Sequence, residues 1–309
     1  MNSLDTCKER RYLVTGASGF IGRAVCEQLL LLGAEVHGTS RREVVFDSGN
    51  WTHHPADLTD ADAVDALFAA ARPEYLIHLA SFVTGKREID RVRETLTGNL
   101  VSAVNVLVAA SNVDVDKAVL AGSLEEPESG DAAVIPASPY AASKWSASGY
   151  ARMMHTLYDL DVAVARIFMV YGPGQEDRSK LVPYVCLAAA RSEAPKLMSG
   201  ARPVYWIYID DVAAGLIRMA QAGPVNGDYV DLGSGQLVTT GEIAGRICKL
   251  SGNGIRPELG AVPDRAMEQV RVADVAGAHA QLDWSVAVDL DAGLRHTYEW
   301  YRQLATDAG

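Results

Sequence analysis

Cysteine is scarce: Cys7, Cys26, Cys186 and Cys248 are the only four in 309 residues, and no two stand at metal-ligand spacing. That pattern excludes a thiolate metal framework and suits reduced, buried thiols. Long apolar runs are missing as well. The longest, Leu181 to Ala190, is interrupted by Pro183 and stops at Arg191, short of the ~20 residues that a spanning helix needs. No membrane partner is expected. Met1 to Arg11 lacks the apolar centre of a secretory signal, so the expected location is cytoplasmic. Basic charge is in deficit, with 28 Lys and Arg against 39 Asp and Glu. This argues against a nucleic-acid partner and leaves room for a local basic pocket only. The seven histidines show no zinc-type spacing, so no metal is expected, and His53-His54 reads as a loop pair. Repeats and low-complexity tracts are also absent.

What is present is alternation. Short apolar runs at Tyr12–Thr15, Glu35–Thr39, Tyr75–Leu79, Ala118–Ala121 and Val162–Ile167 read as strands. Helical periodicity fills the gaps at Ile21–Leu32, Ala61–Ala71, Thr95–Asn112 and Tyr140–Tyr158. Strand–helix alternation with right-handed crossovers predicts an α/β fold built on a doubly wound parallel sheet. After Ile167 the rhythm loosens and Gly and Pro gather. Residues 1–168 and 205–235 are therefore assigned to a dinucleotide-binding (Rossmann) domain. Residues 169–204 and 236–309 are assigned to a smaller, C-terminal substrate lobe.

Directly after the first strand comes Thr15-Gly16-Ala17-Ser18-Gly19-Phe20-Ile21-Gly22. Three glycines between a strand and a helix let backbone approach a pyrophosphate, and the helix N-terminus supplies amides and a positive dipole. Gly16, Ser18, Gly19, Phe20, Ile21 and Gly22 are the resulting cofactor candidates. At the end of the second strand, where NAD-selective chains carry an acid for the ribose hydroxyls, this one reads Ser40-Arg41-Arg42. A carboxylate there repels a 2′-phosphate, whereas guanidinium groups grip it. NADP (NADPH) is the expected cofactor and NAD the lesser alternative. Asp57 and Leu58 are placed at the adenine.

Ser138-Pro139-Tyr140-Ala141-Ala142-Ser143-Lys144 holds a Tyr-x-x-x-Lys pair at the start of a helix. Residues four apart share a helical face. An ammonium beside a phenol lowers its pKa and readies it for proton exchange. Upstream, Gly122-Ser123-Leu124-Glu125-Glu126 puts Ser123 at a strand's C-terminal end, the edge where open parallel sheets bind ligands.

Together with His78-Leu79-Ala80-Ser81, Asn99, Arg166-Ile167-Phe168, Tyr171-Gly172-Pro173-Gly174-Gln175 and Tyr208-Ile209-Asp210-Asp211-Val212, these motifs resemble the extended short-chain dehydrogenase/reductase superfamily. The resemblance is to its NAD-dependent epimerase/dehydratase family and spans nearly the whole chain. Within that family the second strand, Arg72 to Ala80 and Gly122 to Glu126 look most like the GDP-4-keto-6-deoxymannose reductase and GDP-mannose 4,6-dehydratase group. The resemblance implies Tyr140 as acid/base, Lys144 as ribose anchor, Ser123 as donor to the reacting carbonyl, and Glu125 as second acid/base or sugar ligand. It adds Leu79, Ala80, Ser81, Asn99 and Ile167 to the cofactor site. For the substrate it points to Ser123, Glu125, Met169, Leu181, Arg202 and Arg271. Three departures lie on the substrate side: Met169 where an asparagine is usual, Val204-Tyr205-Trp206 before the Tyr-Ile-Asp-Asp run, and Pro127-Glu128 where Tyr-Gly is common.

The implied activity is NADPH-dependent reduction of the C4 ketone of a nucleotide-linked 4-keto-6-deoxy sugar, GDP-linked by resemblance. The alternatives are a nucleotide-sugar 4-epimerase, a 4,6-dehydratase, and a non-catalytic NADP-binding regulator. Apolar residues on more than one face of Thr95–Asn112 (Val101, Val104, Leu107, Val108) and Tyr140–Tyr158 (Ala147, Tyr150, Met153, Met154, Leu157) predict a homodimer.

Overall fold

Residues 7–127, 134–225, 227–265, 267 and 270–307 are described by the computed structural model. The first half runs β1 (Arg11–Thr15), α1 (Phe20–Leu31), β2 (Glu35–Thr39), β3 (Trp51–His54), α2 (Ala61–Ala71), β4 (Tyr75–His78), α3 (Arg91–Thr95), α4 (Ser102–Asn112), β5 (Lys117–Ser123), α5 (Pro139–Tyr158) and β6 (Val162–Ile167). The second half runs β7 (Met169–Tyr171), α6 (Leu181–Ala190), β8 (Pro203–Tyr208), α7 (Ile209–Gln221), β9 (Tyr229–Leu232), β10 (Leu237–Thr239), α8 (Thr240–Leu250), α9 (Val275–Leu282) and α10 (Leu290–Asp307).

Seven strands form one sheet in the order β3-β2-β1-β4-β5-β6-β9. The pairs from β3 through β6 are parallel. Both faces of such a sheet are covered, so its strands read as nearly continuous apolar runs; β5 is buried at every position. The strand order reverses between β1 and β4, where Thr15 stands in register with His78. Ligands bind beyond the strand ends at such a switch point. On one face, Val64, Leu67 and Phe68 of α2, Val106 and Leu107 of α4 and Ala147, Ala151 and Met154 of α5 join a single buried cluster with the strands.

Local chemistry sets the ends of these helices. Asp60 caps α2 by accepting from the amides of Asp62 and Ala63. Ser138 caps α5 by accepting from Ala141, and Pro139 follows in the first turn, where its missing N–H costs nothing. The periodicity from Thr95 to Asn112 predicts one continuous helix, and here the structure differs. Leu96–Val101 is a π-helical segment between α3 and α4. The wider turn carries the buried Asn99, a use that π-bulges often serve.

Two compact units emerge: residues 1–167, 213–231 and 276–284, and residues 168–212, 232–275 and 285–309. The boundaries differ from the expected division at Phe168 and residues 205–212 and 232–235, which join the second unit, and at residues 276–284, which join the first. Residues 205–212 belong to the second unit because β8 pairs with β7 and β10 in a three-stranded sheet. Most of α9 joins the first unit, burying Ala278 and Leu282. The strand β10 and the helix α6, which starts with Pro183 in its first turn, are further additions to the sequence reading. Among the described residues no helix is long and apolar enough to cross a membrane, and all four cysteines are buried free thiols.

Candidate active site

The glycine loop closes on itself after β1. Gly16 has a left-handed φ of 71°, a conformation that excludes most side chains. Its N–H bonds the Thr39 carbonyl at 2.8 Å, and its own carbonyl accepts from Gly19 at 2.8 Å. A Cβ on Gly22 would fall on that same carbonyl oxygen. α1 then starts at Gly19 with no side-chain cap and no acidic residue in its first turn. Its N-terminal amides and dipole are left for an anion, so the loop fits a dinucleotide pyrophosphate. Ser18, Phe20 and Ile21 are half-buried along this turn.

Across the switch point, Thr15 Oγ1 accepts from the amides of Leu79 and Ala80, both at 3.1 Å. With both lone pairs taken, its one hydroxyl proton goes to His78 Nδ1 at 2.8 Å. The imidazole is therefore the Nε2–H tautomer. Burial and the nearby Lys144 push the His78 pKa down to about 3, which keeps the ring neutral. Neither Thr15 nor His78 was a site candidate in the sequence. Their pairing comes from strand register, which one sequence does not display.

Asn99 is saturated. Its Oδ1 accepts from Ser81 Oγ at 2.9 Å and from the Phe82 amide at 2.6 Å, while Nδ2 donates to the Phe82 carbonyl at 3.2 Å and to Ser143 Oγ at 2.9 Å. All its side-chain capacity is spent on tying Ser81 and Phe82 to Ser143 of α5. Ser40 is likewise engaged. Its hydroxyl donates to the Arg42 carbonyl at 2.6 Å, which leaves its oxygen to accept from His53 Nε2 at 3.1 Å. Ser40 thus shapes the loop that presents Arg41 and Arg42, both exposed. Asp57 Oδ1 accepts from the Thr59 amide and hydroxyl, and these bonds, with Arg41 nearby, hold its carboxyl below the usual range. Leu58 is buried beside it and accepts from Asn105.

Ser123, Glu125, Tyr140 and Lys144 come together at the C-terminal end of β5 and the first turns of α5. Ser123 lies close enough to Tyr140 to lower its pKa, and its Oγ accepts from the Glu125 amide at 3.2 Å. Ser138, the α5 cap, donates to Glu125 Oε2 at 3.5 Å. The buried Lys144 donates from Nζ to the Ala121 carbonyl at 2.9 Å. Ile167 is buried alongside, and its carbonyl accepts from Leu124.

One expectation is overturned at this point. Lys144 was expected to lower the Tyr140 pKa. Instead, burial and the adjacent Glu125 carboxylate push the phenol well above its ordinary value, and Ser123 offsets only part of this. The ammonium is directed at a carbonyl. Its own pKa falls to about 8 through burial, with Glu126 opposing the fall.

The remaining candidates lie in the second unit. Met169 opens β7 opposite Trp206, and Leu181 opens α6; both are half-buried. Arg202 is half-buried before β8, and Arg271 is buried at 6% exposure, which a solvated surface arginine would not be. The Tyr205-Trp206 departure is a packing feature. Trp206 donates its indole N–H to Val238 at 2.9 Å, and Tyr205 sits edge-on to Phe168. Glu128 lies outside the described residues.

A sequence model of the NAD-dependent epimerase/dehydratase family matches residues 12–230. A UDP-glucose 4-epimerase of Mycolicibacterium smegmatis is 31% identical, covering 94% of this chain and 98% of its own. A probable dTDP-glucose 4,6-dehydratase of Sinorhizobium fredii is 27% identical over 94% of this chain and 92% of its own. Among solved structures, the NAD complex of Thermus thermophilus UDP-glucose 4-epimerase superposes with a TM-score of 0.82 at 25% identity, covering 94% of this chain and 99% of that one. With the family's glycine loop, serine and Tyr-x-x-x-Lys pair assembled on its parallel sheet, the chain belongs to the NAD-dependent epimerase/dehydratase family of extended short-chain dehydrogenases/reductases.

Proposed function

We propose that this protein is an NADPH-dependent 4-ketoreductase acting on a nucleotide-linked 4-keto-6-deoxy sugar. The placement of Tyr140 on the first turn of α5, beside the loop of Ser123 and Glu125, carries the reading. Epimerases and dehydratases begin by taking a proton from a sugar hydroxyl, which calls for a phenolate. A ketoreductase begins with a phenol that gives its proton to the developing alkoxide. Tyr140 is half-buried beside Glu125, and its raised pKa favours the phenol. Ser123 is set beside it to donate to the same oxygen as charge develops. The bound dinucleotide supplies the hydride. Lys144 anchors its ribose, and the glycine loop holds its pyrophosphate. Leu124 is buried at 6% exposure where the dTDP-glucose dehydratases use an aspartate, which weighs against water elimination. Met169, Leu181, Arg202 and Arg271 are the proposed substrate residues of the second unit.

The decisive assay is NADPH oxidation against a panel of nucleotide 4-keto-6-deoxy sugars, GDP-linked first, with C4 configuration read by NMR. Stoichiometric oxidation is expected. The epimerase relatives and the NAD-bound neighbour favour a second reading, a UDP-sugar 4-epimerase with retained NAD. Interconversion of UDP-glucose and UDP-galactose without net NADPH consumption would establish that reading instead.

Cofactor choice gives a second expectation. Arg41 and Arg42 stand where a carboxylate would repel a 2′-phosphate, and charge-assisted bonds of ~1.5–3 kcal/mol favour NADPH over NADH by about 10–100-fold. Replacing both by alanine should remove most of that preference in a paired fluorescence titration. Equal affinities in the unsubstituted protein reject it.

The homodimer is also proposed, on a narrower patch than expected. Leu107, Ala147 and Met154 belong to the chain's own core, and Met153 packs partly against it. Val101, Val108, Tyr150 and Leu157 remain exposed on α4, α5 and the π segment before α4, a surplus beyond the single stripe that a sheet-covering helix needs. Val108→Glu should shift the mass by light scattering toward a monomer. A monomeric mass before substitution rules the dimer out.

A further inference from the structure

Behind Ser123 lies a carboxylate without an assigned role. Glu126 has 0% exposure. Its Oε1 accepts from the Ser123 amide at 2.6 Å, and its Oε2 accepts from Ser148 Oγ at 2.7 Å and from Tyr229 Oη at 3.0 Å. The donors come from β5, α5 and β9. Gly122 leaves room for this geometry, since a Cβ there would stand 2.7 Å from Oε1.

The charged and titratable groups around this carboxylate are few. From α5 come Lys144 and Tyr140, both felt electrostatically. Arg152, also on α5, donates to Tyr229 Oη at 3.2 Å. From β6, the Arg166 guanidinium lies 3.9 Å from the Tyr229 ring centroid and pairs with Asp231 of β9 at 2.9 Å. Glu125 adjoins on the same loop.

From this arrangement we infer that Glu126 is a positioning residue of the active site: its carboxylate anchors the Ser123 backbone in front of Tyr140 and supplies the negative charge that partners the buried Lys144 ammonium from behind. A buried cation needs a counter-charge. Glu125 is the other carboxylate at the site, and it bears on Tyr140. Ser148, four residues after Lys144, shares its helical face and ties Glu126 to it. Glu126 opposes the fall that burial imposes on the Lys144 pKa, which with this carboxylate in place settles near 8. Ser123, Ser148 and Tyr229 are all donors to the carboxylate, so an amide in its place would need the Ser148 and Tyr229 hydroxyls to turn and accept, which hydroxyls can do. Glu126→Gln therefore tests charge with little change of shape.

The inference rests on the proposed reading only in taking Lys144 as the cofactor's ribose anchor. The test is a fluorescence titration of NADPH, and in parallel NADH, over a range of about pH 6 to 10. In the unsubstituted protein affinity declines as pH rises past the Lys144 value of about 8. In Glu126→Gln the decline should start about one pH unit lower, giving binding roughly 3–10-fold weaker near pH 8 and unchanged at the acid end. Tyr229→Phe retains the carboxylate and should not lower the midpoint. An unmoved midpoint in Glu126→Gln overturns the inference, and so does an equal shift in Tyr229→Phe, since that would be an effect of packing rather than charge. If Glu126→Gln does not fold, the Ser148→Ala/Tyr229→Phe double variant carries the test. Stripped of two donors, the carboxylate must raise the midpoint, and a fixed one rejects the idea. No sugar substrate is involved, so failure of the reductase reading in the panel assay leaves this titration unaffected.

Discussion

Tyr140→Phe should lower the rate of the chemical step by about 10²–10⁴-fold while leaving dinucleotide affinity within about twofold. The phenol is the group placed to give a proton to the substrate oxygen, and phenylalanine keeps the ring but has no proton to give. The structural cost is small. The substitution removes only the polar approach to Ser123, and Ser123 Oγ still accepts from the Glu125 amide at 3.2 Å; even a full hydrogen bond lost there would cost about 1 kcal/mol of stability. Single-turnover kinetics with saturating NADPH, set beside a fluorescence titration of the cofactor, separate the two effects. Near-normal turnover would mean that another group donates the proton. Lys144→Met should behave differently, damaging rate and affinity together, because Nζ also holds the ribose in the proposed complex.

The parallel sheet was legible because its signal is local. The strands 11–15, 35–39, 75–78, 117–123 and 162–167 are short apolar runs with a helical period between each and the next. The glycine loop and the Tyr-x-x-x-Lys pair were legible for the same reason, since their spacing along the chain is their geometry. What stayed hidden depends on pairing across the sheet. Thr15 meets His78 only because β1 and β4 run in register, and Glu126 meets Tyr229 across 103 positions. Two adjacent glutamates look equivalent in sequence. Burial separates them: Glu125 is half-buried beside Tyr140, while Glu126 points inward with 0% exposure. The effect of Lys144 on Tyr140 was misjudged for a related reason. Helical spacing puts the two on one face, but it says nothing about the Ala121 carbonyl that takes the ammonium at 2.9 Å, nor about how far burial raises the phenol.

Gly22→Ala should weaken dinucleotide binding by at least ~100-fold and destabilise the fold by ~1–3 kcal/mol, although helix propensity points the other way. Gly22 is a buried residue of the first turn of α1, and an alanine in a helix is ordinarily favoured over glycine by ~1 kcal/mol. Steric overlap outweighs that gain. The new Cβ would land on the Gly16 carbonyl oxygen, with the Gly16 carbon at 2.8 Å and Ala17 Cα at 3.0 Å. Gly16 has nowhere to go. Its φ of 71° is already left-handed, its N–H is bound to Thr39 at 2.8 Å and its carbonyl to Gly19 at 2.8 Å. On its far side the Ala80 amide nitrogen would stand only 2.8 Å from a Cβ. Relief must therefore come from moving the loop away from α1, which separates the backbone amides from the position where they meet a pyrophosphate. Gly245→Ala on α8 is the matched control: nothing lies within 4 Å of its Cβ position, so it should raise stability by up to ~1 kcal/mol and leave the cofactor untouched. Thermal melts and NADPH titrations of the two variants decide the matter. Unchanged affinity in Gly22→Ala would show that the dinucleotide does not sit on this loop.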